Sequence, residues 1–374
     1  MENNNQIRVA QIIGKWNGGG VEATVMNYYR NIDHKKIQFD FFCDEDSTNI
    51  PYKEIYELGG KVILVPPYQN IISYQKKMRH ILNNKKYKIV HSHINTLSVF
   101  PLYAAKKAGI PIRIAHSHST ANKKECKKTL IKNILKIFSK KYATNYFCCS
   151  ELAGRWLFGN KTYDDGKVVL IKNAIDLEKF KYDENIRKNK RKEYNISKDT
   201  LVIGHLGRFV KQKNHDFLID IFYEVHKKIP NSILILAGDG PLRKKIENKI
   251  KRMNLKDSVI FLGNVKNSEE IYQIFDVVLF PSLYEGLGMV IIEAQAIGIP
   301  CIVSTEVPNE AKLTKLVKFV NLNESTSRWL MEIEKIIKED NKREYSAELK
   351  ENGYDIKKEA IKLENEYMRC IDGE

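Results

Sequence analysis

The chain has 374 residues, of which 43% are hydrophobic and 29% charged, and this globular composition excludes a collagen-like or largely disordered protein. At roughly 150 residues per domain, the length predicts two or three domains. Lys and Arg number 62 against 46 Asp and Glu, and the net charge of +16 suits an acidic ligand, an anionic membrane surface or a nucleic acid.

The six cysteines are scattered, with no CxxC pair and no Cys/His ladder, so neither a zinc site nor a disulfide framework is indicated. Buried thiols in a reducing compartment are therefore expected. Residues 1–6 lack the basic and apolar regions of a signal peptide, and the longest apolar stretch, 287–304, is interrupted by Glu293 and Gln295. We expect a cytoplasmic protein, with peripheral contact to the inner face of the cell membrane left open.

In the first half of the chain, short apolar runs rich in β-branched residues alternate with helical patterns. The predicted strands are 7–13, 38–43, 62–65, 89–91, 112–116, 146–149 and 168–171. Nearly continuous apolar runs of this kind are typical of strands that are covered on both faces in a parallel sheet.

The second half repeats the pattern. Its predicted strands are 201–206, 233–237, 259–262, 277–280, 301–303 and 318–320, and an apolar stripe of helical period follows the first of them over 217–229. The alternation predicts two doubly wound α/β domains, at 1–178 and 200–345. The charged stretch 179–199 is interpreted as a linker, and 346–374 as C-terminal helices for which packing back on the first domain is one option.

The strongest motif, residues 281–293, follows a predicted buried strand and leads into a helix. Gly286 and Gly288 allow the backbone to approach a ligand closely, and the amides of a helix N-terminus favour phosphate. Glu285 in the loop could then meet a sugar, while Glu293 on the helix could accept hydrogen bonds from a ribose diol. The alternative is an ordinary strand–turn–helix with a solvated glutamate.

Two cations, Arg208 and Lys213, follow the predicted strand 201–206. Ligands of open α/β sheets bind at the carboxyl ends of the strands, and two cations there match a diphosphate. The alternative is a pair of solvated loop residues. A tight turn that contains Gly238 follows the next strand.

Three glycines at 18–20 separate the first strand from the first helix, and they also permit close approach of a ligand. Neither the GxGxxG fingerprint nor a Walker A loop is present.

Histidine pairs end two other strands, at His91 with His93 and at His116 with His118. Metal binding needs converging ligands and supporting partners, and we favour contact between His116 and a sugar.

Two further segments have competing interpretations. Asp44 and Asp46 form a DxD pattern, as in the metal–diphosphate site of one class of sugar transferases, but a solvated acidic loop is the favoured interpretation. Residues 123–141 contain eight Lys and one Glu with an apolar face, which is the pattern of a helix at an anionic membrane surface. A surface helix that packs on its own domain is the alternative.

Together these motifs resemble glycosyltransferase family 4, the group 1 glycosyltransferases. Glu285 and Glu293 resemble the family's E-x7-E motif, and Arg208 and Lys213 resemble its diphosphate clamp. Residues 173–180 resemble the NG(V/I)D…F segment, although Ala174 replaces the usual Gly. His116 aligns with the family histidine that faces the transferred sugar, and the segment containing Gly19, Gly20 and Glu22 matches the N-terminal loop at the cleft.

The resemblance implies an α/β fold of the GT-B type, with two doubly wound Rossmann-like domains facing across a cleft. It implies retaining transfer from a nucleotide-diphosphate sugar, without a cofactor or a required metal. Within the family the chain resembles bacterial capsule and exopolysaccharide transferases, and this resemblance implies a UDP-sugar donor and a glycan or lipid-linked acceptor. The expected catalytic residues are His116, Glu285, Arg208 and Lys213. The expected donor-binding residues are Gly19, Gly20, Arg208, Lys213, Gly238, Asn264, Val265, Glu285, Gly286, Leu287, Gly288, Met289, Val290 and Glu293.

Two other functions remain open at this stage. A UDP-sugar 2-epimerase would share the fold, but the E-x7-E spacing and segment 173–180 disfavour it. A nucleic-acid-binding protein would explain the charge of +16, yet no recognised nucleic-acid motif or aromatic-interleaved basic stripe is present.

Overall fold

The computed structural model describes residues 6–85, 87–119, 135–339 and 345–373. The chain divides into two compact units. The first comprises Met1–Asp176 and Gly353–Glu374, and the second comprises Leu177–Asn352. Each unit is built on one parallel sheet with helices on its faces.

The first sheet has seven strands in the order β3-β2-β1-β4-β5-β6-β7, and every neighbouring pair is parallel. The strands are Ile7–Gly14 (β1), Ile37–Asp44 (β2), Lys61–Val65 (β3), Ile89–Ser92 (β4), Ile112–Ser117 (β5), Asn145–Cys148 (β6) and Val168–Leu170 (β7). The helices of this unit include Gly20–Asn31, Tyr52–Glu57, Ile71–Lys85, Val99–Lys107, Glu151–Phe158, Asn160–Asp164 and Ile356–Asp372, and residues 135–142 are also helical.

The second sheet has six parallel strands in the order β10-β9-β8-β11-β12-β13. These strands are Leu201–Leu206 (β8), Ser232–Ala237 (β9), Val259–Gly263 (β10), Val277–Phe280 (β11), Cys301–Ser304 (β12) and Val317–Val320 (β13). The helices include Glu184–Glu193, His215–Lys228, Arg243–Arg252, Ser268–Tyr272, Met289–Ile297, Thr326–Ile336 and Ser346–Glu351.

Both faces of the first sheet are buried, because successive side chains of a strand point to opposite faces. Val9 of β1 belongs to one hydrophobic cluster, and Ala10 beside it belongs to another. Helix Ile356–Asp372 supplies the first cluster with Ile356, Ala360, Leu363 and Tyr367, all at most 3% exposed. Each large apolar side chain buried in this way stabilises the fold by about 1.5–3 kcal/mol.

The predicted strands are all present, and none of their ends differs from the prediction by more than one residue. The prediction of two doubly wound, parallel α/β units is therefore confirmed. The continuous apolar runs predict the strands correctly because both faces of each sheet are covered.

The prediction of a linker over 179–199 is wrong, because the segment folds onto the second unit. It contains helix Glu184–Glu193, whose N-terminus is capped by Asp183, which accepts a hydrogen bond from the Asn185 amide at 2.7 Å. From this helix, Arg187 and Arg191 pair with Asp276 at 2.5 and 2.7 Å. The charged residues Arg187 and Arg191, which the sequence pattern placed in a solvated linker, are thus held by a partner 89 and 85 positions away.

The predicted C-terminal segment 346–374 is divided between the units. Helix Ser346–Glu351 belongs to the second unit, whereas helix Ile356–Asp372 belongs to the first. The Ile175 amide donates to the Tyr354 carbonyl, and the Ile356 amide donates to the Ile175 carbonyl, both at 3.0 Å. These bonds fix the start of the last helix to the end of the segment that completes the first sheet.

The expectation of buried thiols holds for Cys43, Cys148, Cys149 and Cys301, whereas Cys370 is partly exposed. Cys126 lies outside the described residues, as does most of the predicted membrane-contacting segment 123–141. Of that segment the structure describes residues 135–141, which are helical.

Candidate active site

Each sheet has a point where the chain reverses the direction in which strands are added. This switch point lies between β1 and β4 in the first sheet, and between β8 and β11 in the second. Loops that leave adjacent strands at a switch point diverge to opposite faces of the sheet and open a crevice for ligands. The predicted residues of the second unit lie mainly in the loops that follow β8 and β11.

Hydrogen bonds connect these two loops. The Leu283 amide donates to the Gln212 carbonyl at 2.8 Å, and Gln212 Nε2 donates to the Tyr284 carbonyl at 3.0 Å. Asn214 has left-handed backbone geometry, with φ of 55°, and its side-chain amide donates to the Pro281 carbonyl at 3.1 Å. The two loops therefore form one connected surface.

At this surface Lys213 and Glu285 form an ion pair with an Nζ to Oε1 distance of 2.7 Å. Both are largely shielded from solvent, with side-chain exposures of 16% and 7%. Gln212 donates to the other carboxylate oxygen at 3.2 Å, and the Lys213 ammonium lies 4.5 Å from the centre of the Phe280 ring. The structure thus brings together two predicted catalytic residues and gives each a defined partner.

Arg208, the other predicted cation, lies in the same loop as Lys213 but has a different environment. Its side chain is exposed and makes no hydrogen bond or ion pair with the residues that the structure describes. Its guanidinium is therefore available to an anionic group, and its planar fork of donors matches a phosphate.

The predicted phosphate site at the N-terminus of helix Met289–Ile297 has suitable backbone geometry. Gly288 is the N-cap residue with φ of 91°, and within the described chain no side chain caps it. A Cβ at this position would be strained and would approach Ile291 Cδ1 to 3.1 Å. The first amides of a helix lack intrahelical acceptors, so those of Met289 and Val290 are available to an anion.

Glu293 lies one turn further along this helix and is paired with a tyrosine. Tyr272 Oη donates to its carboxylate at 2.7 Å. Burial raises the pKa of Glu293 to about 7, although the Tyr272 hydrogen bond lowers it. Both protonation states of Glu293 are therefore accessible near neutral pH.

The other predicted donor-binding residues surround these loops. Gly238 has φ of 130°, and a Cβ there would collide with the Gly207 carbonyl, so the loop after β9 packs directly on the loop that carries Arg208. Asn264 and Val265 follow β10, with Asn264 exposed. Leu287 is 3% exposed and joins the apolar core, whereas Gly286 is partly exposed.

In the first unit, the predicted glycine loop follows β1 at its switch point. Glu22 holds the loop, because its Oε1 accepts a hydrogen bond from the Asn17 amide at 3.1 Å. Gly19 lies against this carboxylate, so a Cβ would approach Glu22 Oε2 to 2.8 Å. Gly20 is exposed and begins helix Gly20–Asn31.

The four histidines at the ends of β4 and β5 form one buried, hydrogen-bonded cluster. His91 Nε2 lies 3.0 Å from His116 Nδ1, and His93 Nδ1 lies 2.9 Å from His118 Nε2. Gln11 Oε1 lies 2.7 Å from His93 Nε2, and the Tyr367 hydroxyl lies 2.7 Å from His91 Nδ1. The cluster borders a small cavity that Thr24 and Leu363 also line.

Burial determines the charge of this cluster. It lowers the pKa of His91, His93 and His116 well below the ordinary value, and it lowers the pKa of His118 to about 4 against a smaller opposing effect of Asn173. The four side chains are therefore neutral at pH 7. A neutral imidazole can both donate and accept hydrogen bonds to sugar hydroxyls.

The spacing of three of these histidines is also compatible with a metal ion. His91, His93 and His116 bring ring nitrogens within 4.8 Å of one another. Both ring nitrogens of His91 already lie within hydrogen-bond distance of protein partners. That a metal is not required remains a prediction.

The interpretation of Asp44 as part of a solvated loop is wrong. Asp44 is 6% exposed, and burial, with a smaller contribution from Asp46, raises its pKa to about 6. Asp46 forms an ion pair with Lys15 at 2.5 Å. Asp44 ends β2, and its side chain is shielded within the first unit.

Sequence reasoning missed several residues that support the site. Gln212 and Asn214 connect the loops, and their position inside the segment of the two cations was the available signal. Tyr272 and Tyr367 contact site residues from 21 and 276 positions away, and no local pattern indicates these contacts.

Two Rossmann-like units, with charged loops at the switch point of the second, have the fold of the GT-B glycosyltransferases. The model of the family described as Glycosyltransferase Family 4 matches residues 18–179, and that described as Glycosyl transferases group 1 matches residues 186–355. The chain belongs to the group 1 glycosyltransferases (family 4) and is a glycosyltransferase of class EC 2.4.

The relatives agree with this assignment. The chain is 36% identical to "Putative glycosyltransferase EpsF" of Bacillus subtilis (strain 168) over 376 residues. The matched region covers 98% of this chain and 97% of that protein. It is 28% identical over 296 residues, 76% of each chain, to the UDP-Gal:alpha-D-GlcNAc-diphosphoundecaprenol alpha-1,3-galactosyltransferase of Escherichia coli. The fold matches Anabaena Alr3699/HepE, solved in complex with UDP and glucose, with a TM-score of 0.76 at 16% identity over 99% of this chain and 100% of that chain.

In the part of the chain that the structure describes, no helix combines the length and the apolar character that a membrane span requires.

Proposed function

We propose that this glycosyltransferase moves a sugar from a UDP-sugar, with retention of configuration, to a glycan or lipid-linked glycan in the synthesis of a surface polysaccharide or glycolipid. The observation that carries the proposal is the ion pair of Lys213 and Glu285 at the switch point of the second sheet, beside the N-terminus of helix Met289–Ile297. The donor and the diphosphoundecaprenol acceptor in the name of the Escherichia coli relative support this choice of substrates.

The donor diphosphate would bind to the cations and amides of the second unit. Arg208 offers an exposed guanidinium, and the amides of Gly288, Met289 and Val290 offer donors at a helix N-terminus. As the glycosidic bond breaks, negative charge accumulates on the leaving phosphate. Fixed positive groups stabilise that charge more than the charge of the ground state, and this difference accelerates the reaction.

Lys213 and Glu285 would act as a unit. Lys213 is oriented by Glu285, and the carboxylate is oriented in turn by Gln212. A bound diphosphate would share the Lys213 ammonium with Glu285, whose other acceptor positions could then hold a sugar hydroxyl. The pair is preorganised, so little reorientation is needed when the donor binds.

Glu293 would hold the ribose diol through its carboxylate, and His116 would contact the transferred sugar. We assign no nucleophile to the opposite face of the sugar. Attack from the same face as the departing UDP, with the donor phosphate taking the acceptor proton, is therefore our expectation, and no metal is assigned a role in it.

Peripheral contact with an anionic membrane through residues 123–141 also remains part of the proposal. Its support is the excess of eight Lys over one Glu in that sequence. Such contact would bring the enzyme to a lipid-linked acceptor.

Slow donor hydrolysis by the purified chain, screened with UDP- and GDP-sugars and followed by NMR, tests the proposal. We expect one or a few UDP-sugars to be cleaved, with the α-linked donor releasing the α-anomer first and with the rate maintained in EDTA. Release of the β-anomer would contradict retention, and cleavage of GDP-sugars alone would contradict the uridine donor. Release of a 2-epimerised sugar would instead favour the epimerase.

A further inference from the structure

A chain of buried hydrogen bonds links the last helix to the end of β5 within the first unit. Gln11 Nε2 donates to the Tyr367 hydroxyl oxygen at 3.0 Å, and the same oxygen lies 2.7 Å from His91 Nδ1. His91 Nε2 then lies 3.0 Å from His116 Nδ1. All four side chains are at most 3% exposed, so bulk water does not compete for these bonds.

The direction of the protons along this chain follows from its first bond. The Tyr367 oxygen accepts the proton of Gln11, and among the described residues its remaining hydrogen-bond partner is His91 Nδ1, so the hydroxyl donates its own proton there. A neutral imidazole that accepts at Nδ1 carries its proton on Nε2. His91 Nε2 therefore donates to His116 Nδ1, and His116 in turn carries its proton on Nε2.

Both histidines are held in the neutral form, which this argument requires. Burial lowers the pKa of His91 and of His116 well below the ordinary value, and the neighbouring histidines lower it further. Each ring then has one donor and one acceptor nitrogen, and the tautomer of one ring determines the tautomer of the next.

The chain ends on a donor that still needs a partner. His116 Nε2 is buried and has no hydrogen-bond partner among the described residues, and the His116 side chain lines the small cavity. A buried donor without an acceptor is energetically costly, because it has lost its hydrogen bond with water and gained none in return. The cavity has room for about one water-sized group, so a single oxygen, from a water molecule or from a ligand hydroxyl, would remove that cost.

We propose that Tyr367 is a positioning residue which, with Gln11 and through His91, holds His116 as a neutral donor at Nε2 for an oxygen of the transferred sugar. The contact with sugar rests on the proposed function, whereas the tautomer is a property of the free protein. If Gln11 had the opposite amide orientation, every bond in the chain would reverse, and His116 Nε2 would be an acceptor. Gln11 of β1, acting through the Tyr367 hydroxyl of the last helix, thus selects whether His116 donates to or accepts from a sugar group.

Long-range ¹H–¹⁵N NMR of the full chain labelled with ¹⁵N-histidine reads the tautomers directly. Loss of signals in His91→Gln and His116→Gln would assign the two rings. We expect both to be neutral with the proton on Nε2 at pH 7. A proton on His116 Nδ1, or on both of its nitrogens, would overturn the proposal without any use of substrate.

Tyr367→Phe tests the positioning role, because it removes the hydroxyl and keeps the packing of the ring. We expect His116 to populate both tautomers and kcat for sugar transfer to fall about 10-fold, as for the loss of one hydrogen bond, while UDP affinity is unchanged. Tyr87→Phe is the matched control, since its buried hydroxyl donates to Asp40 in the same unit and lies outside this chain. It should leave the His116 tautomer and kcat unchanged.

The outcomes separate this proposal from the proposed function. If His116 stays fully protonated on Nε2 in Tyr367→Phe, Tyr367 does not position it. If the tautomer changes and kcat does not, His116 does not donate to the reacting sugar. If the wild-type chain turns over no nucleotide-sugar, the proposed function fails, while the two NMR results still decide the tautomer. If Tyr367→Phe does not fold, the wild-type tautomers still test the direction of the hydrogen-bond chain, and a proton on His116 Nδ1 still overturns the proposal.

Discussion

The two sheets share a strand order and differ in the chemistry at their switch points. Apart from β7, which extends the first sheet, each follows the order 3-2-1-4-5-6 in its own numbering. In the first unit the neighbouring strand ends carry neutral, buried histidines that are bonded to one another. In the second unit they carry a charged pair, Lys213 and Glu285, and the exposed Arg208.

This difference shows what the topology determines and what it leaves open. The strand order determines where a ligand can approach, because loops diverge at the switch point. The side chains there determine which ligand group is recognised. Cations and helix amides suit an anionic diphosphate, whereas neutral imidazoles suit uncharged hydroxyls.

The largest expected effect is a loss of stability in acid, greater in the first unit than in the second. Folding lowers the pKa of five histidines in the first unit and of two in the second. These are His34, His91, His93, His116 and His118 in the first unit, and His205 and His215 in the second. A histidine whose pKa is lower in the folded state contributes its full stabilisation above its pKa in the unfolded state, which is about 6.5. This stabilisation is lost as the pH falls towards the pKa in the folded state. The loss is up to about 1.4 kcal/mol per pH unit for each histidine that stays neutral.

Hydrogen exchange measured by mass spectrometry between pH 7 and pH 5, corrected for intrinsic exchange rates, locates this loss. We expect amides in β4 and β5 to lose protection before those in β8 and β11. Simultaneous loss of amide protection in both units would contradict the prediction that the first unit is more sensitive to acid.

The next effect concerns the cations of the second unit. Arg208→Ala should lower transfer by about 10²-fold, as for the loss of one donor to a transition-state anion, with no change in melting temperature because the side chain is exposed. Lys213→Ala should lower both the rate of transfer and the melting temperature, because it leaves the Glu285 carboxylate shielded from solvent and without its cation. Lys211→Ala is the control, since this exposed lysine lies in the same loop. A normal rate for Arg208→Ala would exclude its contact with the diphosphate.

The smallest effect is a dependence of UDP binding on pH. The pKa of Glu293 is raised to about 7, so the carboxylate that would accept the ribose hydrogen bonds is more fully ionised at pH 8 than at pH 6. We expect affinity measured by calorimetry to rise by up to about 10-fold over that interval. In Glu293→Gln the affinity should be weaker and should no longer change with pH. Equal wild-type affinity at both pH values would argue against the ribose contact.

Much of this architecture could be predicted because its signals are local. The strands are continuous apolar runs, and the closeness of Lys213 to Glu285 follows from the convergence of parallel strand ends. What could not be predicted depends on distant partners. Helix Glu184–Glu193 is stabilised by Asp276, and the tyrosine beside His91 comes from the last helix. Asp44 begins an acidic segment whose composition is typical of a solvated loop, yet the surrounding fold buries its side chain.

The return of helix Ile356–Asp372 to the first unit has a consequence for biosynthesis. A ribosome releases the strands of the first sheet early, but the helix that covers one of its hydrophobic clusters emerges only after residues 177–352. At about 5–20 residues per second, that interval lasts on the order of ten seconds or more. Throughout it the nascent first sheet exposes apolar surface around Val25 and Phe39, which makes this stage the natural point for chaperone protection.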